Sequence, residues 1–64
     1  MNLQQLRCVA AVAESGSFSK AAKKLYLSQP SVSAIVKELE NELGITIFER
    51  SNRGVTMTMP GAQL

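Results

Sequence analysis

Apolar side chains recur at helical spacing in three blocks of this chain, after which the period changes. In the first block Leu3, Leu6, Val9, Ala10 and Ala13 fall on one face, and Cys8 and Val12 widen it, which predicts a helix over residues 3–14. Ser15-Gly16 ends that helix, because glycine reaches the left-handed cap conformation without strain. Ser17 is placed to cap a second helix, in which Phe18, Ala21, Ala22 and Leu25 share a face opposite Lys20, Lys23 and Lys24. Only Tyr26 and Leu27 then intervene before Ser28, the predicted cap of a third helix. There Val32, Ile35, Val36, Leu39 and Leu43 form a core-facing stripe, Pro30 is tolerated in the first turn, and Gly44 marks the end. The outward side of this helix carries Pro30, Ser33, Ala34, Lys37 and Asn41, with Gln29 near its start.

Beyond Gly44 the run Ile45-Thr46-Ile47-Phe48-Glu49-Arg50 is rich in β-branched residues, and Val55-Thr56-Met57-Thr58 alternates. The turn-forming cluster Ser51-Asn52-Arg53-Gly54 between them predicts a small hairpin with Arg53 at its tip. An isolated hairpin is marginal in water, so its apolar side must lean on the helices. Pro60 is compatible with another helix start, but too little chain remains to form one. The expected fold class is therefore mainly α, three helices with a small two-stranded β wing. Two short amphipathic helices joined this tightly can pack at a steep angle, leaving the second proud of the body. That is the arrangement that places a helix in the major groove of DNA.

Length and composition narrow the chemistry. Sixty-four residues make one small domain, and a chain of this size buries only roughly 60% of its unfolded surface. With 45% hydrophobic and 19% charged residues the composition is that of a folded domain, not a disordered tail. No apolar run approaches the ~20 residues that span a bilayer, and the start Met1-Asn2-Leu3-Gln4-Gln5 has no signal-peptide character. A cytoplasmic protein is expected, with no membrane partner. A single cysteine and no histidine exclude a Cys/His metal site, and Cys8 reads as a packed thiol. With no His and no Asp there is no usual nucleophile–base pair, and the scattered glycines form no phosphate loop. Glu38 and Glu42 share a helix face and read as a solvated rim. Neither an enzyme nor a cofactor is expected.

The net charge of +2 is modest but unevenly spread. Arg7, Lys20, Lys23, Lys24 and Lys37 face only Glu14 in the front half; Glu38, Glu40, Glu42 and Glu49 follow, and then Arg50 and Arg53. Such a pattern suits an anionic partner met by part of the surface. Small side chains at Ser31, Ser33 and Ala34 allow the third helix close to base edges, and Gln29 can read adenine through a paired donor and acceptor. The hydroxyls of Ser28, Ser31 and Ser33 suit phosphate oxygens, Lys37 extends the basic line, and Arg53 can enter a minor groove or grip phosphate. On one side of a helix-turn-helix, these residues favour double-stranded DNA.

The residues also resemble a known family. Leu3-Gln4-Gln5-Leu6-Arg7, Ser15-Gly16-Ser17-Phe18-Ser19-Lys20-Ala21-Ala22 with Leu25, Leu27-Ser28-Gln29-Pro30-Ser31-Val32-Ser33, Leu39-Glu40-Asn41-Glu42-Leu43-Gly44, Phe48-Glu49-Arg50, and Thr58 with Gly61 are similar to the N-terminal DNA-binding domain of LysR-type transcriptional regulators of bacteria. The resemblance covers essentially the whole chain. It implies a winged helix-turn-helix that binds DNA sequence-specifically to regulate transcription, its third helix in the major groove and its wing on the flanking minor groove or backbone. Carried over by position, Gln29, Pro30 and Ser31 become base-contacting residues, Ser33 and the Ser17/Ser19 region backbone contacts, and Arg53 the wing contact. Position 34 is commonly Arg or Lys in the family, so Ala34 implies looser recognition there or a substitute contact from Lys37.

Family members run to several hundred residues, with a linker helix that pairs subunits and an effector-binding domain. The resemblance therefore implies a DNA-binding domain over residues 1–59 and the start of a truncated linker helix over residues 60–64. It further implies a homodimer or tetramer in the full-length parent, a location at the nucleoid, and a small-molecule effector whose domain lies outside this chain. The competing reading is a winged helix that serves only as a protein-interaction module. The Pro30/Ser33/Ala34/Lys37 face argues against it, since it lacks the aromatic or large aliphatic anchors of such surfaces.

Overall fold

In the computed structural model, residues 1–51 and 54–62 are described, and the elements run α1 (Leu3–Ser15), α2 (Phe18–Leu25), α3 (Gln29–Leu43), β1 (Phe48–Ser51), β2 (Gly54–Met57) and α4 (Met59–Ala62). The three long helices and the antiparallel β1–β2 pair form the expected mainly α winged architecture.

Local signals set the helix ends. Ser17 Oγ accepts from Lys20 N, and Ser28 Oγ accepts from Ser31 N, so both serines cap as their positions predict. Gly16 and Gly44 close α1 and α3 at φ 67° and 69°, a left-handed conformation in which an L side chain is strained. Two caps were not read from the sequence. Asn2 and Gln5 form a reciprocal capping box at the start of α1, and Tyr26 closes α2 at φ 57° despite having a side chain.

Cys8, Val9, Ala11 and Val12 of α1, Phe18, Ala21 and Ala22 of α2, and Val32, Val36 and Leu39 of α3 enclose the core with Ile47 and Phe48. Alanines on α2 allow the helices close together. The third-helix stripe is confirmed, with Ile35 and Leu43 half-buried at its flanks. The expected apolar face of α1 is confirmed only in part, at Val9 and at the flanking Cys8 and Val12. Leu3 and Leu6 are 67% and 41% exposed, and Ala10 and Ala13 also face outward. The buried side is rotated toward the flank, so that Gln5, which was not expected inside, joins Cys8, Val9 and Val12 in a set that satisfies the i, i+3, i+4, i+7 spacing. Gln5 is buried and polar, and both ends of its amide have a partner: its Oε1 accepts from Asn2 N at 3.0 Å and its Nε2 donates to Glu38 Oε1 at 3.1 Å.

The first strand is shorter than its β-branched run implied, the second keeps its length but starts one residue earlier, and Ser51 and Gly54, expected in the turn, end β1 and begin β2. Ile45, Thr46 and Ile47 lie outside β1: Ile47 is completely buried, Ile45 is half-buried against the core, and Thr46 is exposed. Pairing runs from Phe48 opposite Met57 to Ser51 opposite Gly54. Met59–Ala62 form a helical turn where too little chain was expected for one. Thr58 supports it: its Oγ1 donates to the Thr46 carbonyl and accepts from Gly61 N at 3.0 Å. Among the described residues no helix is long and apolar enough to cross a membrane.

Candidate nucleic-acid interface

The start of α3 is fixed before any side chain of the interface is considered. Ser28 caps it, Pro30 holds the first turn, and the buried stripe of Val32, Val36 and Leu39 locks its rotation against α1 and α2. The opposite side is thereby turned outward. Ser28, Gln29, Pro30, Ser31, Ala34 and Lys37 are exposed, and Ser33 is half-buried. Across the short connection, Ser17 and Ser19 from the start of α2 stand beside them, Ser17 half-buried and Ser19 exposed.

Several of these side chains are already ordered by one another. Ser19 Oγ donates to Gln29 Oε1 at 2.8 Å, joining α2 to the first residue of α3. Ser28 Oγ donates to Ser31 Oγ at 2.7 Å while accepting from Ser31 N, so the first turn of α3 carries its own hydroxyl pair. Ser33 Oγ accepts from Arg50 Nη2 at 3.3 Å. The structure thus brings together Ser17, Ser19, Ser28, Gln29, Pro30, Ser31, Ser33, Ala34 and Lys37 on one side of the molecule. Arg53 lies outside the described residues.

Arg50 was not among the candidate residues, yet it sits at the centre of this surface. Its guanidinium lies 4.3 Å from the Phe18 ring centroid, and Phe18 meets Phe48 edge-to-face with centroids 6.0 Å apart at 81°. The stack orients the cation, and no carboxylate lies within ion-pairing distance of it among the described residues. Two open clefts flank it. One, of about 230 Å³, is lined by Ser17, Ser19, Gln29 and Arg50; the other, of about 440 Å³, by Ser33, Ala34, Lys37 and Arg50. The signal was present in the sequence: in a strand, Arg50 shares its face with Phe48, two residues earlier, and that face is the one packed on the helices.

Several other charges have partners elsewhere in the fold. Lys24 donates to Glu14 Oε2 at 2.6 Å, and that contact holds the Glu14 carboxyl below its ordinary range. The Met1 ammonium pairs with Glu42 at the far end of α3. Glu40 faces inward, its Oε2 accepting from Ile47 N at 2.7 Å and Phe48 N at 3.3 Å. That carboxylate fixes β1, and hence Arg50, against α3. Val55 N completes the docking by donating to the Gly16 carbonyl at 3.2 Å. Burial pushes the Cys8 thiol up, in keeping with a packed, un-ionised side chain. Among the described residues no cluster of three or more His, Cys, Asp or Glu could hold a metal ion.

Known proteins carry the same architecture. A family model described as bacterial regulatory helix-turn-helix protein, lysR family, matches residues 3–62. A probable RuBisCO transcriptional regulator of Porphyra purpurea is 47% identical over 62 residues, 97% of this chain and 20% of the relative. The HTH-type transcriptional regulator ClcR of Pseudomonas putida is 44% identical over 61 residues, 95% of this chain and 21% of its own length. The chain thus spans about a fifth of the curated relatives it matches. Among solved structures, the complex of the BenM DBD with benA site 1 DNA superposes with a TM-score of 0.92 at 46% identity, covering 98% of this chain and 71% of that one.

Proposed function

This chain belongs to the lysR family of bacterial regulatory helix-turn-helix proteins, and on that premise we propose that it binds double-stranded DNA sequence-specifically as the reading head of a transcription regulator. The observation that carries the reading is the outward side of α3. It is rigidly presented, lined by small polar side chains, and flanked by a ring-stacked arginine with no carboxylate partner among the described residues. In this reading the start of α3 enters the major groove, where Gln29, Pro30 and Ser31 meet base edges. Ser17, Ser28, Ser33 and Lys37 line the path of the backbone, Ser19 stands behind Gln29 and is hydrogen-bonded to it, Ala34 permits close approach, and Arg50 offers a preoriented donor to phosphate. Arg53 is assigned the flanking groove or backbone from its place between β1 and β2 in the sequence.

The protein-interaction alternative lacks support, since the exposed α3 face presents no aromatic or large aliphatic anchor. The domain is read as non-catalytic and without a cofactor of its own, acting in the cytoplasm at the nucleoid. Residues 1–59 form the DNA-binding domain, and residues 60–64 are assigned to the start of a linker helix. In a longer parent, subunits pair as a homodimer or tetramer, and a small-molecule effector binds a further domain.

Duplex titration at several salt concentrations tests the proposal. The chain should bind random duplex with an affinity that falls linearly on log–log axes as salt rises. Arg50→Ala should reduce that slope by about one and weaken all sequences alike. No binding at low ionic strength would overturn the reading.

A further inference from the structure

We infer that Ser19 is a positioning residue for Gln29, holding the side-chain amide by its oxygen so that the Nε2 hydrogens face a purine N7. The inference rests on the DNA-binding reading above and gives Ser19 a role other than the phosphate contact that the resemblance implied.

Three observations carry it. Ser19 and Gln29 come from different helices, and the caps of both helices fix their backbones: Ser17 in front of α2 and Ser28 in front of α3. The bond between them is well formed, Ser19 Oγ donating to Gln29 Oε1 at 2.8 Å, although both residues are exposed and water is available to each. Finally, Gln29 lines the cleft beside Arg50, where the chain's candidate base-reading and phosphate-binding groups converge.

The chemistry follows from the symmetry of the amide. A free glutamine side chain has several rotamers, and its amide can turn either end outward, presenting an acceptor or a donor to the same base atom. Those two orientations read different edges: an acceptor meets the N6 amino group of adenine, and a donor meets N7 of either purine. A hydroxyl that donates to Oε1 uses one of the two lone pairs on that oxygen and none of the nitrogen's hydrogens. The amide keeps a donor facing outward and, on its remaining lone pair, an acceptor beside it. Ordering the side chain before the duplex arrives also removes part of the rotamer entropy lost on binding. Ser19 therefore acts on discrimination through Gln29, while Ser28, Ser31 and Ser33 are occupied with one another and with Arg50.

The test begins with sites selected from random duplexes by this chain, and the base whose discrimination depends on Gln29 is located with Gln29→Ala. Ser19→Ala should then lower discrimination at that base about two- to tenfold, the range expected for one hydrogen bond, with random-duplex affinity and salt slope unchanged. Ser19→Thr, which keeps a hydroxyl, should restore it. The double variant should match Gln29→Ala alone, because the effect runs through Gln29. Replacing the purine by its 7-deaza analogue should weaken wild-type binding, leave Gln29→Ala indifferent, and affect Ser19→Ala less than wild type. An additive double variant, or a loss in Ser19→Ala shared equally by random duplex with a flatter salt slope, would overturn the inference and make Ser19 a phosphate contact. Absence of duplex binding by the wild-type chain would instead fault the DNA-binding reading itself.

Discussion

Glu40 is the side chain by which the third helix holds the wing, and its removal has a calculable consequence. Its Oε2 accepts from the main-chain N–H groups of Ile47 and Phe48, at 2.7 and 3.3 Å. Both of those residues are buried, so water cannot simply replace the carboxylate. A hydrogen bond to a charged group contributes about 1.5–3 kcal/mol, and the longer, weaker second bond adds less, which makes Glu40→Ala destabilising by about 2–4 kcal/mol. Glu40→Gln keeps one neutral acceptor and should lose about half of that. A domain of 64 residues has a total stability of about 3–10 kcal/mol, so the alanine variant removes a large share of it. Urea unfolding followed by circular dichroism gives the comparison directly, with the slope m showing whether the native state has loosened. Amide exchange adds a local reading, since the N–H groups of Ile47 and Phe48 should lose protection before those of α1. An alanine variant within about 0.5 kcal/mol of wild type, the range of an ordinary surface change, would refute the assignment.

Three further outcomes are expected. Leu39 is completely buried at the centre of the α3 stripe, and Leu39→Ala should cost about 2–5 kcal/mol, enough to leave much of the population unfolded at 37 °C; a melting temperature within a few degrees of wild type would contradict its place in the core. A Cβ on Gly61 would stand 2.5 Å from the Ile47 carbonyl oxygen and 2.8 Å from its Cα, both backbone atoms, so Gly61→Ala should destabilise by roughly 1–3 kcal/mol, and thermal unfolding that shows no change would mean α4 does not dock there. Tyr26 is 96% exposed at φ 57°, so Tyr26→Gly removes about 1–2 kcal/mol of left-handed strain against a glycine entropy cost of about 0.5–1 kcal/mol, giving a small net stabilisation that a chemical melt can resolve and a lowered midpoint would disprove.

Much of the interface was legible in the residues. Ser17 and Ser28 announce their helices because a hydroxyl before a helix has a local task, satisfying N–H groups only a few residues away. The stripe Val32–Val36–Leu39 dictates that Pro30, Ala34 and Lys37 point outward, since a helix with one apolar face has only one way to turn. Arg50 escaped notice because its importance depends on Phe18, which lies 32 residues earlier and reaches it only once the wing is docked. The Ser19–Gln29 bond escaped for the same reason: neither residue shows in isolation that the other is its partner.

The order and ends of the helices, the turn between α2 and α3 and the polar character of the reading face were settled by the chain alone, because each follows from neighbours within about one or two helical turns. Which side of α1 is buried was decided only by packing. The predicted face Leu3/Leu6/Val9/Ala10/Ala13 and the buried set Gln5/Cys8/Val9/Val12 both keep helical spacing, and in the fold it is the second that meets the other helices, with Gln5 hydrogen-bonded to Glu38 and Cys8, Val9 and Val12 in the core. The seating of the wing was likewise a tertiary outcome, set by Glu40, Ile47 and the Gly16 carbonyl, groups that meet only when helices and strands are already in place.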